Sequence, residues 1–423
     1  MRRRTRKSRA AKSILGSVCG AALALTAQTA SAQYRLKGDV YAFGTAPAPA
    51  GLLVLTGDAK PTDWADAEAV VWLGTGAIGA DRTYLGTGQT ATNTPTTTSN
   101  GDVMIANIHL REPHGWGELR LGRMLVTAGA IRPMLLDGAN AFLRVPKGPT
   151  LQVFGGVPVL PGFAAQSFDW AAGGRLSQRI GEYASAGVSY LQRRSEGRIQ
   201  FEELGFDASV TPARWVDAAG EVALDMLRVD VASARGSVAF RMGPLRLEAF
   251  ALHRSPSSLL PATSLFAAIG DIPSTQGGLT MAWRAAPRLD ISAIGSADSI
   301  GGDFGGRASI HAVLRLDDRG DGALGAEVRR QWTPQNASWT GGRLTARLPV
   351  VYRFHASAEL ELVVPDVPDG RGAMWPWGLV ALGYSPKFAP WLDLAGGVEA
   401  SQSPTRLASV AGIFRASATW EKR

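Results

Sequence analysis

The sequence predicts an all-β fold: a single closed antiparallel up-and-down transmembrane β-barrel of about 16–20 strands. Three observations predict it. One is a long alternation of apolar and polar residues between Arg343 and Val364. Another is the return of strand-like segments about every 15–20 residues, with breakers between them. The last is an N-terminus built like an export signal.

In the alternating run every even position is apolar: Leu344, Ala346, Leu348, Val350, Tyr352, Phe354, Ala356, Ala358, Leu360, Leu362 and Val364. Most odd positions are polar, among them Arg343, Thr345, Arg347, Arg353, His355, Ser357, Glu359 and Glu361. A helix returns its apolar residues every three or four positions, so a period of two means extended strand. The run is about twice the roughly 9–11 residues of one membrane-spanning strand. Pro349 falls inside it, where a ladder donor is missing. Two strands joined by a turn around Pro349–Val351 follow. A loop with an odd number of residues keeps the same parity on the same side.

Residues 1–32 read as a cleavable signal peptide and 33–423 as the barrel domain. Arg2, Arg3, Arg4, Arg6, Lys7, Arg9 and Lys12 precede an apolar stretch from Ile14 to Leu25, and Ala30-Ser31-Ala32 offers a small-x-small cleavage site. The stretch is shorter than the roughly 20 residues of a membrane anchor. The single cysteine, Cys19, lies inside this leader, so the exported product has no disulfide. Seven of the 44 basic residues and none of the 36 acidic ones lie there too, leaving a net charge of +1. The basic balance is a property of the leader, and no nucleic-acid partner is expected.

Between Tyr34 and Trp420 no long linker, charge block or helical window marks a domain boundary, and no apolar stretch approaches the 18 residues of a spanning helix. Met104, Ala106, Ile108 and Leu110 alternate with Asn107, His109 and Arg111. A proline opens several strands, as in Pro212-Ala213-Arg214-Trp215, Pro244-Leu245-Arg246-Leu247, Pro287-Arg288-Leu289-Asp290 and Pro390-Trp391-Leu392-Asp393. At a strand's first residue a proline forfeits no ladder bond, so these are tight turns at one end of the barrel. The longer connections, Gly76–Gly101, Ser255–Ser274 and Pro365–Gly372, then belong to the other end. Ile310, Ala312, Leu314 and Leu316 oppose His311, Arg315 and Asp317, and Leu324, Ala326, Val328 and Trp332 oppose Glu327, Arg329 and Gln331. Arg330 interrupts that apolar face near Trp332, where it can snorkel to an interface. Trp215, Trp283, Trp332, Trp391 and Trp420 sit near strand ends, as in an aromatic girdle. The last strand carries Val410, Phe414, Ala416, Ala418 and Trp420 on one parity, and Glu421-Lys422-Arg423 follow its terminal aromatic.

Gly117–Phe163 contains Glu118-Leu119-Arg120-Leu121-Gly122-Arg123, then Gly129, Arg132 and Leu136-Asp137-Gly138-Ala139, then Val153-Phe154-Gly155-Gly156-Val157-Pro158-Val159. This stretch resembles the core hairpins of Gram-negative outer-membrane porin-like barrels of the alginate-export kind, and of uncharacterised predicted barrels. Met124 departs from the pattern, where the similar sequences usually carry glutamine. The resemblance implies a single-chain barrel that passes polar solutes or polymers.

The expected function is a passive outer-membrane channel for small polar solutes or saccharides, since barrels of 16–18 strands leave a water-filled lumen. Its candidate lining is the polar parity: Arg315, Glu327, Arg329, Arg343, Arg347, Arg353, His355, Glu359 and Glu361. Arginines there favour acidic solutes and glutamates oppose them, so the sequence leaves the sign of selectivity open. The expected partners are outer-membrane lipid, the barrel-assembly machinery and polar solutes. No cofactor, metal or catalytic residue is expected. The alternatives are a structural barrel and a barrel-embedded lipid hydrolase. For the latter, Ser309 with His311, and His355 with Ser357, stand at strand spacing on one face.

Overall fold

The structure, a computed structural model, describes residues 33–45, 49–75, 100–159, 169–255, 274–318, 321–333, 337–351, 353–368, 373–403 and 406–422. The proposed leader with Cys19, the Thr-rich stretch after Gly76 and most of Ser255–Ser274 lie outside them. Strands β1 (Gln33–Thr45), β2 (Ala50–Thr62), β3 (Ala65–Thr75), β4 (Asn100–Arg111), β5 (Gly117–Val126) and β6 (Met134–Arg144) come first. They are followed by β7 (Pro149–Pro158), β8 (Trp170–Ile180), β9 (Ala184–Ser195), β10 (Arg198–Ala213), β11 (Val216–Asp225) and β12 (Asp230–Met242). Next come β13 (Leu245–Arg254), β14 (Ser274–Ala286), β15 (Leu289–Ile300), β16 (Asp303–Arg315) and β17 (Ala323–Trp332). The last five are β18 (Trp339–Val351), β19 (Phe354–Pro365), β20 (Trp375–Tyr384), β21 (Leu392–Ser403) and β22 (Arg406–Lys422).

Each strand pairs antiparallel with its chain neighbours, and β1 pairs with β22 from Tyr34↔Lys422 to Thr45↔Ala411. The sheet is therefore a closed up-and-down barrel without an edge, as the sequence predicts. Its 22 strands exceed the expected 16–20. The reason is composition. A strand such as β20 (WPWGLVALGY) is apolar on both faces, so the backbone ladder rather than side-chain contrast defines it.

The two ends differ. The proline phrases fall at the short connections β10–β11, β12–β13, β14–β15 and β20–β21, all at the end that also holds both chain termini. The long connections join β3 to β4, β13 to β14 and β19 to β20, all at the opposite end. In the Arg343–Val364 hairpin the turn comes later than the predicted Pro349–Val351: β18 runs on to Val351 and β19 starts at Phe354. Two loop residues alone would exchange the parity. A bulge between Pro349 and Val351 restores it, so Leu348 still faces Ala356 and Leu344 faces Leu360. Proline has no N–H to donate and fits the interrupted ladder there. The bulges beside Pro61 in β2–β3 and Pro212 in β10–β11 repeat the device.

The register carries one face from strand to strand around the barrel. Glu203 stands beside Leu191 and Asp225, Arg120 beside His109 and Asn140, Arg343 beside Glu327 and Glu361, and Arg415 beside Tyr41 and Ala395. All belong to the same, inner face. The other face is apolar and bare: Leu279, Val328, Leu344, Leu360 and Val380 are each 58–65% exposed. A belt of this kind is stable only against hydrocarbon. Trp283, Trp332 and Trp420 share that outer face near strand ends, and Trp215 and Trp391 stand in turns.

Candidate functional site: the inner wall

One connection leaves the wall and folds inward. Between β5 and β6, residues 127–133 lie across the inner faces of β7–β10. Their sequence, Thr-Ala-Gly-Ala-Ile-Arg-Pro, has a single charge, so it covers wall instead of meeting water. Ala128 and Ile131 are buried with Met124, Val126, Met134, Leu136, Phe154, Ala171, Leu191 and Phe201 in one apolar cluster. Gln152 Nε2 donates to the Thr127 carbonyl at 3.1 Å. Gly129 has φ 59° and needs to be glycine twice over: a Cβ there would stand 2.4 Å from Asp207 Oδ1. Asp207 is itself held by Arg175, whose Nε donates at 3.0 Å.

Arg132 pins the segment. Its backbone N–H donates to Glu203 Oε2 at 3.1 Å, and its Nε and Nη2 donate to Oε1 at 3.1 and 2.9 Å. The guanidinium sits 3.3 Å from the centre of the Phe201 ring, with Arg193 5.8 Å from the same ring. Glu203 is fully buried, so this pair is costly to break from one side: about 3–5 kcal/mol is typical. Gly129 and Arg132 belong to the pattern, with Leu121-Gly122-Arg123 and Asp137-Gly138, on which the resemblance of the 117–163 stretch rests. Met124, the departure from that pattern, is 2% exposed under the inward segment, where an amide would need partners.

The predicted lining residues of β16–β19 stand on the inner face. Glu327 lies between His311 and Arg343 in register, Arg343 beside Glu361, and Arg347 beside Ser357. Arg343 Nη2 pairs with Glu359 Oε1 at 2.5 Å, Arg329 pairs with Glu361, and Arg315 with Asp290. Among the described residues, no carboxylate pairs with Arg347 and no cation with Glu327. Arg353 stands apart from the group. It occupies the β18–β19 connection at φ 131° and donates through Nη1 to the Pro386 carbonyl at 3.3 Å. The late turn places it there. The His355 ring lies over Gly383, where a Cβ would be 1.9 Å from Nε2. Among the described residues neither Ser309–His311 nor His355–Ser357 is hydrogen-bonded, so neither serine has the base contact a hydrolase needs.

At the end with short turns a polar recess of about 550 Å³ is lined by Arg35, Asp58, Asp66, His109, Arg111 and Arg120. His109, 4% exposed, bridges Asp66 at 3.4 Å and Glu118 at 3.3 Å. At the opposite rim Arg330 leaves the apolar face as expected. It donates to Asp366 at 2.5 Å and to Thr340 Oγ1 at 2.9 Å, and it holds the Asp366 carboxyl below the usual carboxylate range.

Sequence reasoning missed two groups. The first is the Arg132–Glu203–Arg193 cluster; a nearly uncharged connection among polar ones was its one signal. The second is aromatic: Trp72, Trp339, Trp375 and Trp377 share the inner parity, near the end with long connections.

No protein-family model matches the sequence, and no curated protein does. Solved structures do resemble the fold. The P pilus usher (PapC) translocation pore is 10% identical over 92% of this chain and 99% of its own, with a TM-score of 0.54. PapC in the E. coli tip assembly intermediate PapC-PapD-PapK-PapG gives 0.55 at 10% identity, over 91% of this chain and 60% of that one. Acinetobacter baumannii OccAB4 gives 0.44 at 8% identity, over 92% and 98%. At such identities the likeness to the usher pore is one of backbone path: this chain has the fold of a wide outer-membrane barrel.

Proposed function

We propose that this chain is a passive channel of a Gram-negative outer membrane, exported through the leader at residues 1–32, that passes small polar solutes or saccharides. The observation that carries the reading is the pairing of 22 strands with an inner face that is mostly polar along β14–β19. Strands 4.7–4.9 Å apart and tilted about 40° give a mean backbone radius of about 22 Å. Side chains reach only about a quarter of that distance inward, and the seven residues of 127–133 lie flat on one side. The likeness in fold to a translocation pore suits a wide conduit. Trp420 at the end of β22 packs on Tyr34, 4.9 Å between ring centres, and is the feature we assign to the barrel-assembly machinery.

Refolded protein in a planar bilayer tests this. Discrete conductance steps are expected. Their absence over a wide voltage range, from protein shown to be folded by heat-modifiable migration, overturns the channel reading.

A further inference from the structure

Tryptophan at the rim of a membrane barrel ordinarily faces lipid headgroups. Trp339, Trp375 and Trp377 do not. Trp339 pairs in register with Gln331, Trp375 with Val363, and Trp377 with Glu361, all on the inner parity. Large apolar rings in a polar conduit need a reason, and the lipid explanation fails by register.

Their surroundings suggest one. Arg329 sits with its guanidinium carbon 5.1 Å from the centre of the Trp339 ring and pairs with Glu361. Trp377 Nε1 donates to Glu399 Oε1 at 2.8 Å. Cation, aromatic, carboxylate, aromatic and carboxylate thus follow one another across β17–β21, on strands about 4.8 Å apart. Trp339 leans over Gly341, where a Cβ would meet its ring at 3.0 Å, so the absent side chain lets the ring lie along the wall. The Trp375 Nε1 donor is buried and has no partner, a costly state that an incoming acceptor would relieve.

We infer that this strip is a binding site for neutral oligosaccharides. A sugar ring has an apolar C–H face and an equatorial rim of hydroxyls that donate and accept. Flat indoles match the face, while carboxylates and guanidiniums match the rim. The charges decide for a neutral ligand. Arg329 is matched by Glu361 and Arg343 by Glu359, and Glu399 adds a further acid, so a uronate or phosphate meets no excess of cations. The inference rests on the channel reading only in placing the strip along a solute path.

The test titrates folded barrel in detergent with maltotriose, with a triuronate of the same length and with poly(ethylene glycol) of similar size, followed by tryptophan fluorescence. A saturable change with maltotriose alone is expected. Its midpoint should rise at least tenfold in Trp375→Ala/Trp377→Ala and recover largely in Trp375→Phe/Trp377→Phe. The lipid-facing Trp332→Ala should leave it unchanged. No saturable change with maltotriose, equal responses to the triuronate, or an unaltered midpoint in the alanine pair overturns the inference. None of these readouts needs conductance, so a barrel that binds sugar without conducting refutes the channel and leaves the site standing.

Discussion

Leu360 and Glu359 are neighbours in sequence that the structure separates into two media, and placing arginine at each in turn probes that separation. Leu360 is 59% exposed and stands beside Leu344 and Gly378 on the outer face. It is six residues from Phe354 and five from Pro365, the ends of β19. At about 3.4 Å rise and 40° tilt each residue advances about 2.6 Å along the membrane normal. Leu360 is then about 13–16 Å from either rim, near the middle of an apolar band about 25 Å tall. Arginine there should cost about 2–4 kcal/mol.

Glu359→Arg meets different physics. It removes the 2.5 Å pair with Arg343, whose partners are 38% and 21% exposed, and leaves two cations in a wet lumen. A partly screened pair of this kind contributes about 1 kcal/mol or less. Both variants would be refolded into lipid vesicles and titrated with urea, using heat-modifiable migration to score the folded fraction. Leu360→Arg should lose stability severalfold more than Glu359→Arg, and only Glu359→Arg should shift the reversal potential toward anion passage. Equal losses in the two variants, or a selectivity change in Leu360→Arg alone, refute the assignment of faces.

Three further outcomes follow from the inward segment and the turns. Glu203→Ala leaves Arg132 buried without its partner and should destabilise by about 3–5 kcal/mol, whereas Arg132→Met/Glu203→Leu should regain most of that; a urea titration in which the double variant is the worse of the two contradicts it. Gly129→Val must take φ 59° and displace Asp207 from Arg175, at a cost of roughly 1–3 kcal/mol on the same titration, and an unchanged midpoint counts against the packed position of 127–133. In the β4–β5 turn the Glu112 carboxyl lies below its usual range, chiefly through its hydrogen bond with the His114 side chain, and it accepts the backbone N–H groups of His114 and Trp116. A lowered folded pKa gives protection that is present at neutral pH and lost as pH falls through it, so exchange of those two amides, relative to intrinsic rates, should quicken in acid. Exchange that keeps a constant ratio to the intrinsic rate removes Glu112 as the cap.

How much was legible depended on whether a residue's environment repeats with the strand period. β16–β19 were readable because lipid outside and polar lumen inside impose opposite demands on successive residues, and Leu344, Leu360 and Val328 answer one while Arg343, Glu359 and Glu327 answer the other. β20 was not, because Trp375, Trp377, Leu379 and Ala381 make its inner face apolar as well. Glu203 and Arg193 carry inner parity like any lining residue; what makes them a buried cluster is a segment more than 60 residues away in sequence, and no local pattern encodes that contact. The inner tryptophans were hidden for a related reason. Trp332 and Trp339 both sit at strand ends, and only the register says that one faces lipid and the other the lumen.

The two missed groups divide the barrel. Every member of the buried apolar cluster lies between Met124 and Phe201, on β5–β10 and the connection pressed against them, while the ion pairs of Arg315, Arg329, Arg343 and Arg415 line β15–β22. A wall covered by its own chain offers a solute little to exchange for its hydration, whereas paired charges in water can trade partners with hydroxyls at little cost. The segment pinned by Arg132 therefore acts as more than a narrowing. It covers one side of the lumen and leaves the rest of the wall uncovered, including β15–β22, where the tryptophan strip stands, and the paired charges of β1–β2 and β11–β13. On this view Arg132→Met/Glu203→Leu, which keeps the segment seated by packing, should preserve conductance. Deleting residues 128–131, which uncovers the dry side, should raise it without weakening the sugar response of Trp375 and Trp377; a sugar response lost with the segment would mean that the two sides form one site.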